Sequence, residues 1–459
     1  MFLNAGIFLF GMASLFGTSG IRGIPNEPPM TPEFLYRFGR SAAELFKNSE
    51  GKTRILIGRD TRSSGRMVER AVASGVMSRG ADVLSVGVLP IGAISCLTRA
   101  FRADAGIMVS ASHNPPRYNG VKLFTKKGMY ASSIEEEKIE KELFKKKGSM
   151  DVGGRSSGRE IKMAEAEKKY TEFVKHSARE SDFSGLKIVV DCANGAAYSV
   201  APKVFREFGA DILEINNVPD GQNINVGCGT EHPENMRKEV RRQKADLGIS
   251  LDGDADRVIM ADEKGNVLDG DQLMAIYGLH LLKKGELKKK TLVATHYSNI
   301  GLDRAIERAG GRVLRVDAGE KPIINALLKN GLGFGGEFNG HLIFFHLNPI
   351  GDGILSALQI LNIMKQTGER LSELARCMEK YPQTMVNVEV KEKKDFNRMN
   401  AVSGEIRKAE RKLKNRGKVY IRYSGTENLA RILVQGSNNQ EVEEIANSIA
   451  REIKKEIGV

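Results

Sequence analysis

One pattern occurs three times along this 459-residue chain and limits what it can fold into. In each copy an apolar, β-branched segment ends in a polar loop, a helix-length segment follows, and a glycine precedes a second apolar segment. The copies occupy residues 54–84, 187–213 and 291–314. Short strands that alternate with helices are typical of βαβ units, whose strands pair in parallel. We therefore predict three related α/β domains.

The pattern changes after about residue 381. An alternating segment at 385–390 precedes a charged helix at 395–416, a strand at 419–423 and an amphipathic helix at 440–457. The predicted fold is α/β, with three related α/β domains that have mixed or parallel sheets, a smaller C-terminal α+β domain, and a central cleft between them. The predicted domain limits are 12–155, 156–264, 265–377 and 378–459. Ligands should bind at the carboxyl ends of the strands, where the loops gather.

Charge and cysteine content narrow the function classes. The formal net charge of +13 fits phosphorylated substrates, nucleic acid or an anionic surface. The lysine runs at 145–147 and 288–290 lack interleaved aromatic residues, so no nucleic-acid partner is expected. Four scattered cysteines form no zinc or redox motif and suit a reducing cytoplasm. Residues 1–10 are apolar but too few to span a membrane, so residues 1–11 are expected to be an upstream start or an extension.

The segment 251–257 carries three aspartates at alternate positions, Asp252, Asp254 and Asp256. In an extended backbone alternate side chains point the same way, so the three carboxylates should converge. Their repulsion is unfavourable unless a cation is present, and hard oxygen ligands select magnesium or calcium. An EF-hand is excluded because Arg257 replaces its glycine and 258–261 has a strand pattern. We predict a magnesium site, with a solvated acidic turn as the alternative.

A serine loop follows the apolar segment 106–109. Asn114 and Pro115 end the strand and force a turn, so Ser112 is expected to be exposed at the edge of the sheet. Serine is a weak nucleophile without a base or a metal. Beside magnesium, a phosphorylated Ser112 would be a phosphoryl donor and a sugar hydroxyl the attacking group. The alternative is a capped turn without chemistry.

Three loops combine glycine, hydroxyl and arginine side chains, which suits phosphate binding. They lie at 16–23, with Arg22; at 58–62, with Arg59 and Arg62; and at 422–428, near Arg431. No Walker A motif is present, because the segment at 51–53 lacks the preceding glycine.

A fourth loop, at 335–341, places acidic and amide side chains between glycines, which suits recognition of sugar hydroxyls. It contains His341, which could act as a general acid or base because histidine titrates near neutral pH. A lone histidine is more often structural.

Two unrelated classes of protein remain as alternatives. A phosphatase with an aspartate nucleophile could use 254–258, but it would need neither Ser112 nor the loop at 422–428. A non-catalytic protein that binds nucleic acid or a sugar phosphate would not require three converging aspartates.

The loops at Ser112, at the three aspartates, at Glu337 and at Arg422 occur in the order found in the α-D-phosphohexomutase superfamily. The chain resembles that superfamily over about residues 12–459. The resemblance implies an intramolecular phosphotransferase: phosphorylated Ser112 gives its phosphoryl group to a sugar monophosphate, the resulting bisphosphate turns over in the site, and its other phosphate returns to Ser112.

The resemblance also implies roles for individual residues. Ser112 would hold magnesium together with Asp252, Asp254 and Asp256. The groups expected to act on the reacting atoms are Arg22, Lys122, Arg257 and His341. Lys122 would be a base, and nearby Arg22 would lower its pKa by like-charge repulsion. The groups expected to bind the sugar and its other phosphate are His113, Lys321, Glu337, Asn339, Arg422, Ser424, Gly425, Thr426 and Arg431.

Within the superfamily, the segments 223–235, 269–272 and 351–354 resemble the branch that interconverts glucosamine 6-phosphate and glucosamine 1-phosphate. The alternative is a phosphoglucomutase or phosphomannomutase with the same mechanism. Two features depart from the usual pattern: Asn339 replaces a serine, and Pro322 follows Lys321.

The implied cofactors are one Mg²⁺ per subunit and a hexose 1,6-bisphosphate activator. The expected state is a monomer or homodimer in the cytoplasm, with a hexosamine or hexose phosphate as substrate and no membrane partner.

Overall fold

The structure, a computed structural model, describes residues 15–17, 20–144, 157–178, 181–424 and 427–459. The predicted extension at 1–11 and two predicted phosphate ligands, Gly425 and Thr426, lie outside the described residues. None of the helices in the described ranges combines the length and the apolar character that a membrane-spanning segment needs. The described residues form four sheets, which we call the first to fourth units.

The first unit is a six-stranded mixed sheet in the order β1-β5-β4-β2-β3-β6. Its strands are β1 (Ile21–Gly23), β2 (Arg54–Arg59), β3 (Asp82–Val88), β4 (Ala105–Val109), β5 (Asn119–Thr125) and β6 (Glu160–Lys162). Its helices are α1 (Pro32–Leu45), α2 (Gly65–Met77), α3 (Ile91–Ala100) and α4 (Ser133–Phe144). Strands β2, β3, β4 and β6 run parallel, whereas β5 is antiparallel to β4 and to β1.

The second unit is a five-stranded mixed sheet in the order β11-β10-β9-β7-β8. Its strands are β7 (Lys187–Asp191), β8 (Asp211–Ile215), β9 (Leu247–Leu251), β10 (Val258–Asp262) and β11 (Val267–Leu268), and its helices are α5 (Ala166–Ala178), α6 (Val200–Glu207) and α7 (Glu234–Gln243). Strand β9 is fully buried, as expected for a strand covered on both faces.

The third unit is a four-stranded sheet in the order β13-β12-β14-β15. Its helices are α8 (Gly270–Lys284), α9 (Ile300–Arg308), α10 (Glu320–Asn330), α11 (Gly353–Thr367) and α12 (Leu371–Leu374), and its strands are β12 (Thr291–Thr295), β13 (Arg312–Val316), β14 (Phe334–Gly336) and β15 (Leu342–Phe344). Strand β12 pairs in parallel with β13 and β14.

The fourth unit is a three-stranded antiparallel sheet, β16 (Gln383–Glu389), β18 (Leu429–Gln435) and β17 (Lys418–Tyr423), with helices α13 (Asn400–Leu413) and α14 (Asn439–Ile457). The predicted helix at 395–416 is shorter than expected. A 3₁₀ turn at Phe396–Arg398 precedes α13, and Lys414 has a φ of 46°. Because an α-helix does not accommodate positive φ, the helix ends at Leu413.

The predicted triple repeat is confirmed. It corresponds to β2-α2-β3, β7-α6-β8 and β12-α9-β13, and each pair of strands is parallel. The glycines that follow the three helices, Gly80, Gly209 and Gly310, have φ values of 80°, 87° and 76°. Glycine is favoured there because it adopts a left-handed conformation without steric cost.

The cores show how the units are joined. One apolar cluster runs continuously through the first three units and includes Leu97 on α3, Val174 on α5 and Leu358 on α11. The fourth unit has its own cluster, formed by residues such as Ile432 and Ile449. The fourth unit is therefore the part that can move without opening the shared core.

The predicted domain limits remain predictions. Strand β6 completes the first sheet although it follows the limit at 155, and β11 completes the second sheet although it follows the limit at 264. Each sheet thus takes its last strand from the chain that leads into the next unit.

Candidate active site

The serine loop follows β4 and is covered rather than exposed. Ser112 is 0% exposed, and its φ of 52° is unusual for a residue other than glycine. Its hydroxyl donates to Asp252 Oδ2 at 2.7 Å and lies 3.4 Å from His113 Nδ1. The expectation of an exposed serine was wrong, because the second unit packs its own loop against the edge of the first sheet.

Arg62 holds the serine loop in place. Its Nη1 donates to the carbonyl oxygens of Pro115 and Tyr118 at 2.6 and 2.9 Å. Its Nη2 donates to the carbonyl oxygens of Ser112 and Asn114 at 2.9 and 2.8 Å. Within this network the guanidinium also pairs through Nε with a buried carboxylate at 2.9 Å.

That carboxylate belongs to Asp60, and it also accepts from the Ser110 hydroxyl at 2.7 Å. The prediction that the loop at 58–62 binds phosphate was therefore wrong for Arg62, whereas for Arg59 it stays a prediction. The donors of Arg62 are used inside the protein, and Arg59 pairs with Glu69 at 3.1 Å. A buried arginine that satisfies four carbonyl groups and one carboxylate organises the backbone instead of binding a ligand.

The aspartate loop connects β9 to β10. Asp252, Asp254 and Asp256 are all buried, and one oxygen from each lies within 4.8 Å of the others. The predicted convergence is confirmed, but the backbone is not extended: it forms turns, and Ala255 has a φ of 58°. A Cβ on Gly253 would lie 2.5 Å from the carbonyl oxygen of Ser112, so only glycine permits this approach of the two loops.

The electrostatics of the aspartates reflect their crowding. Burial raises the pKa of Asp252 well above its usual value, and Asp256 and Asp254 add to the rise. Burial also acts to raise the pKa of Asp256, but Lys122, His341 and Arg257 outweigh it and hold that pKa well below its usual value. Asp252 therefore tends to stay protonated, whereas Asp256 stays ionised.

Lys122, on β5, faces the same carboxylates. Its Nζ donates to Asp254 Oδ2 at 2.7 Å and to Asp256 Oδ2 at 3.3 Å. Burial acts to lower the pKa of Lys122, but the two carboxylates raise it overall. The predicted depression by Arg22 was therefore wrong, because two adjacent anions outweigh one nearby cation.

These residues fit a divalent cation. Asp254 Oδ1 and Asp256 Oδ1 are buried and accept no hydrogen bond in the described part of the chain. Buried carboxylate oxygens without a partner are unfavourable, and a hard cation would satisfy them. An acidic metal-binding triad is therefore present at the predicted position.

Basic groups also lie beside the serine loop and the triad. Arg257 Nη1 pairs with Glu231 Oε1 at 3.1 Å, and its backbone N–H donates to Asp252 at 3.2 Å. Arg22 Nη1 donates to Asn114 Oδ1 at 3.1 Å. Burial, together with Arg257 and Arg22, lowers the pKa of His113 to about 3, so this imidazole is neutral at physiological pH.

The predicted sugar loop connects β14 to β15 and touches the aspartate loop. His341 Nδ1 lies 3.7 Å from Asp256 Oδ1, and His341 Nε2 lies 3.0 Å from Glu320 Oε1. Burial acts to lower the pKa of His341, but Glu320 and Asp256 raise it well above its usual value. The expectation that His341 titrates near neutral pH was wrong because two carboxylates flank the ring.

Two further predicted sugar ligands, Glu337 and Asn339, belong to the same loop, and Lys321 lies on α10. Glu337 is nearly buried and accepts from the backbone N–H of Gly319 at 3.0 Å. Asn339 Oδ1 accepts from the backbone N–H of His341 at 3.2 Å. Lys321 donates a hydrogen bond to Glu136 of the first unit, so this contact also joins the first and third units.

The predicted phosphate loop lies at the end of β17. Arg422 Nε donates to the Tyr297 hydroxyl of the third unit at 2.7 Å. Ser424 exchanges hydrogen bonds of 3.3 Å with Glu427, and Glu427 pairs with Arg431 at 2.8 Å. The carbonyl oxygen of Ser424 also accepts from Lys393 at 2.7 Å, so the described contacts of this loop go to the third and fourth units. The aspartate loop, by contrast, contacts both the serine loop and the sugar loop.

Several residues that shape the site were not found from the sequence. Glu320 flanks His341, Tyr297 holds Arg422, and Asn225 donates to the carbonyl oxygens of Ser112 and Asn114 at 2.9 and 3.2 Å. Asn225 lies in the 223–235 segment, whose dense glycine and asparagine content could have marked it as a contact loop. Glu320 and Tyr297 carry no comparable local signal.

Comparison with known proteins places the chain among its relatives. It matches phosphoglucomutase/phosphomannomutase alpha/beta/alpha domains I, II and III at residues 13–149, 168–265 and 269–381, and the C-terminal domain of that family at 385–452. It is 48% identical over 451 residues to the phosphoglucosamine mutase of Geotalea daltonii, covering 97% of this chain and 99% of that protein.

Solved structures share the fold. A phosphoglucomutase/phosphomannomutase family protein from Burkholderia thailandensis superposes with a TM-score of 0.79 at 21% identity, covering 97% of this chain and 99% of the other. The N-acetylphosphoglucosamine mutase of Aspergillus fumigatus, solved with GlcNAc-6P and magnesium, superposes with a TM-score of 0.65 at 19% identity, covering 96% and 95%.

Proposed function

This chain belongs to the phosphoglucomutase/phosphomannomutase family, and from that premise we infer that it is a phosphoglucosamine mutase. It interconverts glucosamine 6-phosphate and glucosamine 1-phosphate through a phosphoserine and a bisphosphate intermediate. The single observation that carries this proposal is the hydrogen bond of 2.7 Å between the buried Ser112 hydroxyl and Asp252 of the acidic triad. A phosphatase of the aspartate-nucleophile class would not need a serine at that position.

The first transfer starts from phosphorylated Ser112. The bond between Ser112 Oγ and phosphorus breaks as a bond forms from phosphorus to the free hydroxyl oxygen of the sugar phosphate, and the proton of that hydroxyl passes to a base. The candidate groups for moving protons are Lys122 and His341, both of which contact the triad. Because the neighbouring carboxylates raise the pKa of both groups, either one in its protonated form can give a proton to the leaving Ser112 oxygen, and it can take the proton of the sugar hydroxyl once it is deprotonated. The second transfer runs the same step in reverse with the other phosphate of the bisphosphate. In-line positioning and charge neutralisation dominate such reactions.

Two sets of residues near Ser112 would neutralise the negative charge of the phosphoryl group during transfer. Arg257 lies beside the serine loop and would stabilise the negative charge on the transferring group, with Arg22 close to the same loop. Asp252, Asp254 and Asp256 would hold magnesium together with the phosphoserine. When bound, magnesium supplies Lewis-acid neutralisation of phosphoryl oxygens.

The remaining residues of the site are proposed to bind the substrate. Groups proposed to bind the sugar and its non-transferring phosphate are His113, Lys321, Glu337, Asn339, Arg422, Ser424, Gly425, Thr426 and Arg431. Because the fourth unit has a separate apolar core, it can keep hold of either phosphate while the sugar reverses.

Related proposals concern the conditions of the reaction. A hexose 1,6-bisphosphate would keep Ser112 phosphorylated when the intermediate escapes. All four cysteines are free thiols, three of them buried, which suits the reducing cytoplasm where we place the enzyme. We propose a monomer or homodimer, with the domain limits at 155, 264 and 377.

The test is the ratio of kcat/KM for glucosamine, glucose and mannose phosphates, measured with magnesium and a trace of hexose 1,6-bisphosphate. We expect glucosamine phosphate to be preferred by at least about tenfold, the scale on which one binding group discriminates between substrates. A preference for glucose or mannose phosphate would instead make the chain a phosphoglucomutase or phosphomannomutase. Release of inorganic phosphate without isomerisation would refute mutase activity altogether.

A further inference from the structure

An aromatic group joins the third and fourth units beside the phosphate loop. Tyr297 and His296 follow β12 in the third unit, and Tyr420 lies on β17 in the fourth. The His296 and Tyr420 rings stack at 4.5 Å, and the Tyr297 and Tyr420 rings meet edge-on at 5.7 Å. The Tyr420 hydroxyl donates to Asp317 of the third unit at 3.0 Å. Aromatic rings are therefore part of the contact between the two units, beside polar contacts such as that of Gln435 with Ser298 at 3.2 Å.

Tyr297 contacts Arg422 in two ways at once. Its hydroxyl accepts from Arg422 Nε at 2.7 Å, and its ring centroid lies 5.2 Å from the guanidinium carbon. Tyr297 is only 8% exposed, so its own position is fixed by packing. A guanidinium that is held at Nε and against an aromatic face has lost most of its freedom to rotate. Among the described residues neither Nη group of Arg422 donates a hydrogen bond, so both keep donors for a ligand.

We propose that Tyr297 is a positioning residue that turns the two Nη groups of Arg422 end-on toward the non-transferring phosphate of the substrate. This inference rests on the proposed function, in which Arg422 binds that phosphate. Two parallel N–H donors match a pair of phosphate oxygens, and a guanidinium fixed in advance loses less entropy when it binds.

A structural consequence follows from where the two residues lie. Tyr297 belongs to the third unit and Arg422 to the fourth, so the oriented guanidinium exists only while the two units are docked. If the fourth unit moved away from the third, Arg422 would separate from Tyr297 and its side chain could rotate freely. Tyr297 thus makes the strength of phosphate binding depend on the docked arrangement.

The inference predicts which kinetic constant changes. The non-transferring phosphate is bound in the ground state and in the transition state alike, so weaker binding raises KM and leaves kcat almost unchanged. For Tyr297→Phe, which keeps the ring and removes only the acceptor, we expect KM for glucosamine 6-phosphate to rise about tenfold, as for the loss of one hydrogen bond to a charged group. The inhibition constant of inorganic phosphate should rise in parallel.

The matched control is Tyr420→Phe. It also removes one tyrosine hydroxyl whose hydrogen bond crosses between the third and fourth units, but that hydroxyl binds Asp317 and not Arg422. We expect its KM to stay within about twofold of the wild-type value, because an exposed hydrogen bond contributes little. An equal rise of KM in both variants would show that only docking was weakened and would overturn the proposal. An unchanged KM in Tyr297→Phe would overturn it as well.

A double-mutant cycle adds a readout that a general packing defect would not produce. If Tyr297 acts through the guanidinium, Tyr297→Phe should have no further effect on the dissociation constant of glucosamine 6-phosphate in an Arg422→Met background. Additive effects in the cycle would refute the inference. Calorimetric titration gives this constant without turnover, so a protein that binds the sugar phosphate but does not isomerise it would refute the proposed function and leave this test valid.

Discussion

Replacement of Arg62 by methionine tests how the serine loop is held. The Arg62 side chain is fully buried, and its donors bind one carboxylate and four carbonyl oxygens. Methionine keeps an unbranched side chain but supplies no donor. Asp60 would then be left as a buried anion without its ion-pair partner, and the carbonyl groups of Ser112 and Asn114 would lose this donor.

The magnitude follows from the burial of the pair. Removing one partner of a buried ion pair costs about 3–5 kcal/mol, because the remaining charge is uncompensated. That is a large part of the roughly 5–15 kcal/mol that stabilises a typical domain. The loop that holds Ser112 at positive φ would also relax, and a displacement of about 1 Å at a reacting group costs about a hundredfold in rate. We therefore expect Arg62→Met to lose both stability and turnover.

The assay is urea unfolding followed by circular dichroism, together with mutase turnover. Arg59→Met is the matched control, because Arg59 precedes the same buried aspartate but pairs with Glu69, and both side chains are partly exposed. Its expected cost is below about 2 kcal/mol. The double variant Asp60→Asn/Arg62→Met should recover part of the loss, since no unpaired charge remains. An Arg62→Met protein within about 1 kcal/mol of the wild type and with normal turnover would refute this reasoning.

Three further predictions concern the serine, the triad and a buried carboxyl group. Ser112→Ala should fold with an unchanged unfolding midpoint and lose nearly all mutase turnover; retention of most activity would exclude the phosphoserine. Magnesium should raise the melting temperature of the wild type but hardly that of Asp254→Asn, which lacks one hard ligand; a normal rise in thermal-shift assays would contradict the metal site. Burial raises the pKa of Asp352 from 3.8 to about 6. The folded protein therefore keeps a proton that the unfolded chain releases between these values, and stability should fall as pH rises through this window. Asp352→Asn should reduce that fall without abolishing it in urea titrations at several pH values, because burial also raises the pKa of Asp271 from 3.8 to about 7; an unchanged pH dependence would show that Asp352 does not contribute.

Much of the fold could be predicted from the sequence because the signals are local. The βαβ repeats depend on apolar segments of strand length, on helix-length spacing and on glycines that adopt positive φ. The three aspartates converge because they occupy alternate positions in one short loop after a buried strand. The geometry differs in detail, since a left-handed Ala255 rather than an extended backbone brings the carboxylates together.

The roles of charged residues were harder to predict. Arg62 follows β2 and Arg422 lies near the end of β17, each beside a segment that looks suited to phosphate. Yet Arg62 is fully buried among carbonyl groups, and Arg422 contacts Tyr297 of the third unit. Composition alone does not distinguish them, because burial depends on which other loop packs on top. The same holds for Lys122, whose partners lie 132 and 134 positions further along the chain.

The three α/β repeats, the smaller C-terminal unit, and the order of the serine, aspartate, sugar and phosphate loops can all be derived from the amino-acid sequence. These features follow from patterns a few residues long, which local backbone preferences and the burial of one face decide. Three features depend on how the units pack: Ser112 is covered, His341 lies between Asp256 and Glu320, and the Tyr297 hydroxyl accepts from Arg422. Each of these contacts joins residues from different loops, and pKa values and side-chain orientations depend on the charges and burial that such contacts create.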